Sequence, residues 1–418
     1  MTVTAVPAVA EAIETVASHL HPRPSYDLAD HPVPNGREEV WRFTPLRRLR
    51  GLLDGTPSAA RLSWEVSLPA EVTMTDISSG AVRALGVPAP VDRISALAAS
   101  LSAGAVKVEV PSGLALSEPI VVNLSGESVN DLVYGQVVFV VGANSAATIV
   151  VHHTGSARYA SSVSVLVGDG ATVNFVSLQD WADDAVHAGH VGLRIGRDAR
   201  VRTVSASLGG DLVRLVETAE YDGPGGELEQ FGLYFVDARQ HVEHRLFVDH
   251  NAPHTRSRVD YRGALQGKGA HSVWVGDVLI RKIAENINTY ESNKNLVLTD
   301  GCRADSVPNL EIETGEIEGA GHSSTTGRFD DEQLFYLRSR GISEEEARRL
   351  VVHGFFADII RRIGVPDIER GLLTTIEHEL EATIGAPTSA VDAAGEPAGV
   401  CLLYTSPSPR DRTRSRMP

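Results

Sequence analysis

Cysteine is nearly absent: the 418 residues contain two, Cys302 and Cys401. That excludes a disulfide framework and leaves too few thiolates for a self-contained four-ligand cluster site. No apolar run approaches the roughly 18 residues that a membrane-spanning helix needs. Positive charge is in deficit, with 38 Lys and Arg against 54 Asp and Glu. A formal charge of -16 excludes the broad basic face of a nucleic-acid binder. The opening M-T-V-T-A-V-P-A-V-A lacks the basic segment of a signal peptide. The expected setting is therefore a reducing cytoplasm, with neither membrane nor nucleic acid as partner.

Catalytic signatures are also missing. There is no Ser/His/Asp order, no nucleophile elbow and no paired-carboxylate pattern. Gly263 to Gly269, G-A-L-Q-G-K-G, has three residues before its Gly-Lys pair and Gly269 after it. A phosphate-binding loop needs four, then Ser or Thr, so ATP use would fall to a partner.

What is present divides the chain. Residues 1–85 read as an N-terminal helical and irregular domain, with a short helix over 5–20. In it, Trp41, Phe43 and Leu46 are expected to anchor the segment by packing. Residues 86–326 form a β core, 327–386 a helical domain and 387–400 a disordered Ala/Pro/Gly-rich stretch. Residues 401–418, C-L-L-Y-T-S-P-S-P-R-D-R-T-R-S-R-M-P, read as a translated sequencing adapter and stand outside the fold.

In the core, Val106, Val108 and Val110 alternate with Lys107 and Glu109, and Val163 and Val165 with Ser162 and Ser164. Period-2, Val-rich patterns are strand patterns. The turns share a loose repeat: Gly168 with Ala171, Gly196 with Ala199, Gly267 with Ala270, Gly301 with Ala304. A small residue at a fixed corner once per coil suits a solenoid. Periodicity alone leaves an ordinary β-sandwich open.

Beyond Asp330 the period changes to that of helices. Asp330 with Gln333, then Ser343 with Glu346, predict two helix starts, and Gly341 a stop between them. Ala347, Leu350, Val351, Phe355, Ile359 and Ile363 are expected on the apolar face of the second helix. Gly364 and Pro366 end it, and a third helix spans 366–384 with Leu373, Ile376 and Leu380.

His322 is the leading site candidate. It lies in G-A-G-H-S-S-T-T-G, with small neighbours that leave an imidazole accessible to iron or zinc. A lone histidine of this kind is more often structural. Cys302, in a turn, is a weak metal candidate. So are His244 and His250, in H-V-E-H-R-L-F-V-D-H-N-A-P-H. These two share a strand face, whereas His241 points the other way, and the group is expected on the surface of the β core. His254 belongs to the same group, and His152, His153, His187 and His190 rank lower.

Three runs carry a family resemblance: Y-E-S-N-K-N-L-V-L from Tyr290, V-P-N-L-E-I from Val307, and G-R-F-D-D-E-Q-L-F-Y-L-R-S-R-G-I from Gly327. With E-x-W-R-x-T-P-L near Trp41, the chain resembles the SufB/SufD family of iron–sulfur cluster assembly, and within it the SufD branch. Asn293 stands where SufB proteins typically carry cysteine, and Ser323 where they carry glutamate. Ala320 stands where many relatives carry cysteine two residues before the histidine, so no Cys–His pair is expected within this chain.

The resemblance implies a right-handed parallel β-helix with helical ends, and a scaffold without turnover of its own. It implies SufB as partner through the β-helix, with His322 at that interface. It also implies the SufC ATPase docked on the C-terminal helices, for which Phe335, Phe355 and Phe356 are the candidate contacts. No tightly bound cofactor is expected, only transient iron or an iron–sulfur cluster, with reduced flavin as an electron source in the complex. The competing classes are a β-helix enzyme of lyase or acyltransferase type and a stand-alone histidine-based metal-binding module.

Overall fold

The computed structural model describes residues 23–102, 104–329 and 331–384. The expected helix over 5–20, the Ala/Pro/Gly-rich stretch, the adapter-like tail and the capping residue Asp330 lie outside the described residues.

The N-terminal region has three short 3-10 turns, then β1 (Ser63–Ser67), β2 (Thr73–Ile77), α1 (Ser79–Ala84) and α2 (Arg93–Leu101). Asp92 and Ser95 cap α2 reciprocally. The strands β3 (Ala105–Val110), β4 (Ile120–Val141) and β5 (Ala146–Val167) follow. Then come β6 (Thr172–Trp181), β7 (Val186–Ile195), β8 (Arg200–Ser207), β9 (Leu212–Tyr221), β10 (Glu227–Val236) and β11 (His241–His250). The core ends with β12 (Arg256–Leu265), β13 (His271–Ile280), β14 (Ile287–Val297), β15 (Arg303–Ile312) and β16 (Ile317–Arg328).

β5 is long enough to serve two sheets. Its first half pairs with β6 and its second with β7. From there each strand pairs in parallel with the strand two places on. Even-numbered strands stack as one sheet and odd-numbered strands as the other, in a β-solenoid of about eight turns. The expected parallel β-helix is the observed fold, and the sandwich alternative falls.

The Gly-to-Ala corners explain the rung. Ala171, Ala199 and Ala270 donate backbone N–H bonds of 3.1, 3.2 and 3.3 Å to the carbonyls of Gly168, Gly196 and Gly267, which closes each turn. All three alanines are fully buried. A larger corner side chain would have no room.

Period 2 misleads in one respect. Ser162 and Ser164 alternate with Val163 and Val165, yet both serines are buried too. Over β5, β7 and β9 the outer face of the odd sheet is not solvated, because the N-terminal layer covers it. Trp41, Leu49, Leu52, Ile94 and Leu97 pack there on Ala160, Val186, Ala188 and Leu212. Trp41 anchors as expected, with Leu46 packed alongside and Phe43 half-buried. A buried ion cluster fastens the layer. Arg214 lies 2.7 Å from Asp92 and 3.4 Å from Glu243, with its guanidinium 4.0 Å above the Trp41 ring. Thr44 donates to Glu243 at 2.7 Å.

The C-terminal helices α3 (Asp331–Ser339), α4 (Glu344–Ile360) and α5 (Pro366–Ile384) follow the expected bounds. Ser343 caps α4 by accepting from Glu346 N–H. Gly341, at positive φ, ends α3. Val352, Phe356, Ile359, Ile360 and Ile363 pack against Phe231, Leu233 and Phe235 on the outer face of the even sheet. The buried face of α4 is therefore rotated from the expected one. Ala347 and Ile359 are on it, but Leu350 is exposed, and Val352, Phe356 and Ile360 take its place.

Candidate functional site

The solenoid interior is built in columns. Inward residues of successive rungs lie in register, as do Gln230, Val259, Glu291 and His322 on β10, β12, β14 and β16. His322 ends its column, because β16 is the last strand of its sheet. Its side chain is 43% exposed, whereas that of Glu291, one rung below, is 2% exposed. The small neighbours of His322 predict an accessible imidazole, and the ring is accessible.

Glu291 is the residue that sequence reading missed. Its Oε1 lies 4.0 Å from His322 Nδ1 and has no hydrogen-bond partner. Burial, with the charge of Asp277 adding, pushes its carboxyl up to about 8. The facing strand makes room for it: a Cβ at Gly276 on β13 would overlap Glu291 Oε2 and the Trp274 ring. The usable signal was parity, since Ile287, Thr289, Glu291, Asn293 and Asn295 alternate inward along β14.

Asn293, in place of the cysteine usual in SufB, is fully buried. Its Nδ2 donates to Tyr234 Oη at 2.9 Å, and its Oδ1 accepts from Asn295 at 2.8 Å and Ser306 at 2.5 Å. An amide that both donates and accepts completes this network, which a thiol would not.

Of the group expected on the surface, His241, His244 and His250 are corrected to the interior, whereas His254 is exposed as expected. His244 and His250 share the inward face, as parity predicts, but both are fully buried. His244 stacks on Tyr234 and meets Tyr261 edge-on, and burial depresses its pKa to about 4. His250 stacks on Tyr221 and is hydrogen-bonded to Thr255 and Ser257; burial depresses it to about 3. His241 does point the other way. It lies under the N-terminal layer, 3.3 Å from Glu243 and 3.2 Å from His271. Deeper in the lumen, His153 and His187 pack with Tyr159 and Trp181. His190 is bound to Thr218, His152 sits 3.6 Å from Asp180, and His254 is exposed at a turn.

Cys302 sits in its turn with Sγ 3.3 Å from the Gly267 carbonyl. Burial and the nearby Asp237 and Asp300 raise its pKa, against partial relief from Thr299. That suppresses the thiolate a metal needs. Among the described residues, no group of three or more His, Cys, Asp or Glu side chains is placed to hold a metal ion. His322 and Glu291 supply two donors at most, and a cluster takes about four.

The aromatic candidates separate. Phe335 is 74% exposed, beside the exposed Tyr336. Phe355 is partly buried, and its carbonyl accepts from Arg262 at 2.7 Å. Phe356 is fully buried against the even sheet, so its ring is a packing residue and not a free contact. A cleft of about 410 Å³, lined by Arg61, Trp64, Asp76, Gln136 and Tyr159, lies at the opposite end of the solenoid from His322. Among the described residues no helix is long and apolar enough to cross a membrane.

Comparison with known proteins bears on this geometry. Residues 123–355 match the family model described as SUF system FeS cluster assembly, SufBD core domain. The chain is 49% identical over 366 residues to an iron–sulfur cluster assembly SufBD family protein of Mycobacterium bovis, covering 86% of this chain and 92% of the relative. It is 25% identical over 304 residues to the iron–sulfur cluster assembly protein SufD of Bacillus subtilis, covering 71% and 69%. With SufD of Escherichia coli the identity is 24% over 381 residues, covering 83% and 89%.

Proposed function

The chain belongs to the SufB/SufD family of iron–sulfur cluster assembly proteins, on the SufD side, and from that premise we propose that it is the scaffold subunit that pairs with SufB. The observation that carries this reading is the open end of the solenoid. Among the described residues, β15 and β16 each have a strand partner on one side only. Unpaired edges are templates for another chain. His322 stands on one of these edges, so a partner that continues the sheets meets its imidazole directly.

The second contact is the helical flank. The exposed Phe335, Tyr336 and Leu350 project from α3 and α4; α3 packs on α4, and the opposite side of α4 is held by the even sheet. An apolar face anchored on a rigid β-helix suits docking of the SufC ATPase. ATP-driven movement of SufC would then act on the SufB junction through the solenoid. Iron and sulfur are cargo at that junction, with electrons from a reductant such as reduced flavin. This chain contributes His322 and no turnover of its own.

The stand-alone metal-module reading is less well supported, because His244 and His250 are buried within hydrogen-bonded or stacked rings. The enzyme reading has no acid–base cluster in the cleft to support it. Copurification tests the proposal: tagged full-length chain, coexpressed with its genomic neighbours, should retain an ATPase and a second β-helix protein. Isolation of the chain alone, under conditions where both neighbours are expressed and soluble, would overturn it.

A further inference from the structure

We propose that Glu291 is a positioning residue for His322: its Oε1 accepts a hydrogen bond from Nδ1–H, which leaves the Nε2 lone pair presented to the partner side. This deepens the reading of His322 given above and rests on it.

Four observations converge. Glu291 and His322 are direct register partners on adjacent parallel strands, so their side chains leave the same face one rung apart. Nδ1 is the ring nitrogen that faces the carboxyl, at 4.0 Å. That gap exceeds a hydrogen bond by about 1 Å, within reach of a side-chain rotation at an exposed rung. Oε1 is buried and has no partner, a state that costs free energy until a donor arrives. Finally, the facing strand is shaped around the carboxyl, since Gly276 leaves open the space that Oε2 and the Trp274 ring fill.

The consequence is chemical. A neutral imidazole carries one N–H, and the hydrogen bond it makes decides which nitrogen keeps the lone pair. An acceptor behind Nδ1 fixes the proton there. Oε1 keeps lone pairs whether or not Oε2 carries a proton, so the arrangement does not depend on the charge of Glu291. Carboxyl groups behind metal-binding histidines act in this way, and their loss costs roughly 10- to 100-fold in affinity.

The test uses the full chain with 15N-labelled histidine rings, at a pH where the His322 ring is neutral. Two-bond 1H–15N spectra report the tautomer, and His322→Ala identifies the His322 signals by their disappearance. Wild type should show Nδ1–H. Glu291→Met, of similar size but without an acceptor oxygen, should shift His322 toward Nε2–H. Glu291→Gln, which keeps an acceptor, should retain Nδ1–H. Gly276→Ala leaves Glu291 in the sequence but displaces its carboxyl, and should shift the tautomer as Glu291→Met does; it decides the matter if Glu291→Met does not fold. Cobalt(II) chloride probes the outward nitrogen: paramagnetic broadening of the His322 signals should need about tenfold more cobalt in Glu291→Met. A folded Glu291→Met with an unchanged tautomer and unchanged cobalt response overturns the proposal, whatever happens to its melting temperature. Normal cluster assembly by a complex carrying His322→Ala would instead overturn the functional reading of His322, and the tautomer result would stand apart from it.

Discussion

The ring of Tyr234 on β10 occupies the space that a side chain at residue 263 on β12 would fill, and Gly263 leaves it open. Tyr261 and Gly232 repeat the arrangement with the strands exchanged. Large and small residues thus alternate between these two rungs.

This relationship predicts that Gly263→Ala destabilises the solenoid. The methyl overlaps the Tyr234 ring, whose hydroxyl is held by Asn293 and Asn295. Overpacking of this kind costs roughly 1–3 kcal/mol. Chemical denaturation should show a lowered midpoint, and Tyr234→Ala combined with Gly263→Ala should cost less than the sum of the two. Strict additivity would mean that the ring and the glycine are not coupled.

His322→Ala removes a surface-accessible ring and should change stability by under about 1 kcal/mol. Cluster content in a cell that depends on the pathway should nevertheless fall sharply, while the complex still assembles. His241→Ala should behave in the opposite way. Its ring is buried between Glu243 and His271, so melting temperature should fall, with cluster assembly following only the loss of folded protein. Wild-type cluster content with His322→Ala would mark the residue as structural.

The aromatic candidates on the helical flank should separate by burial. Phe335→Asp is expected to weaken capture of SufC without changing the melting temperature, because the ring is exposed. Phe356→Asp places a carboxylate in an apolar core and should destabilise the helical region by several kcal/mol, on the order of 3 or more. Pull-down alongside thermal melting decides between the two effects. A Phe335→Asp protein that retains SufC fully removes that residue from the docking face.

Acidification should unfold the protein through its buried histidines. The pKa of His244 is about 4 in the folded chain and near 6.5 when unfolded, so the neutral ring stabilises the fold above about pH 6.5. That contribution is lost as pH falls from 6.5 toward 4. Complete loss is worth roughly 3 kcal/mol per histidine of this kind. His244→Phe should therefore flatten the dependence of stability on pH between 6.5 and about 4. An unchanged slope would show that the ring is not held neutral.

Much of the architecture was legible in local chemistry. The spacing from Gly168 to Ala171, repeated at Gly196 and Gly267, encodes a turn closed by a hydrogen bond within four residues, whereas Gly301 and Ala304 do not repeat it, since Ala304 lies inside β15. Ser343, Gly341 and Pro366 mark helix ends through the backbone groups beside them. The accessibility of His322 followed from its small neighbours in the chain, whereas its interface role came only from the family resemblance.

Period 2 told which residues of a strand share a face, but not what covers that face. His244 and His250 were assigned to one side correctly and to the surface wrongly, because the facing sheet that encloses them arrives from other rungs. The same limit hid the buried face of α4, which is chosen by Phe231, Leu233 and Phe235 on a distant strand. By itself the sequence determined the rung, its corners and the helix boundaries, since these depend on contacts within a few residues. Only the tertiary structure decided the enclosed lumen and the meeting of Glu291 with His322. That meeting depends on register between strands, and register is set by how successive coils stack.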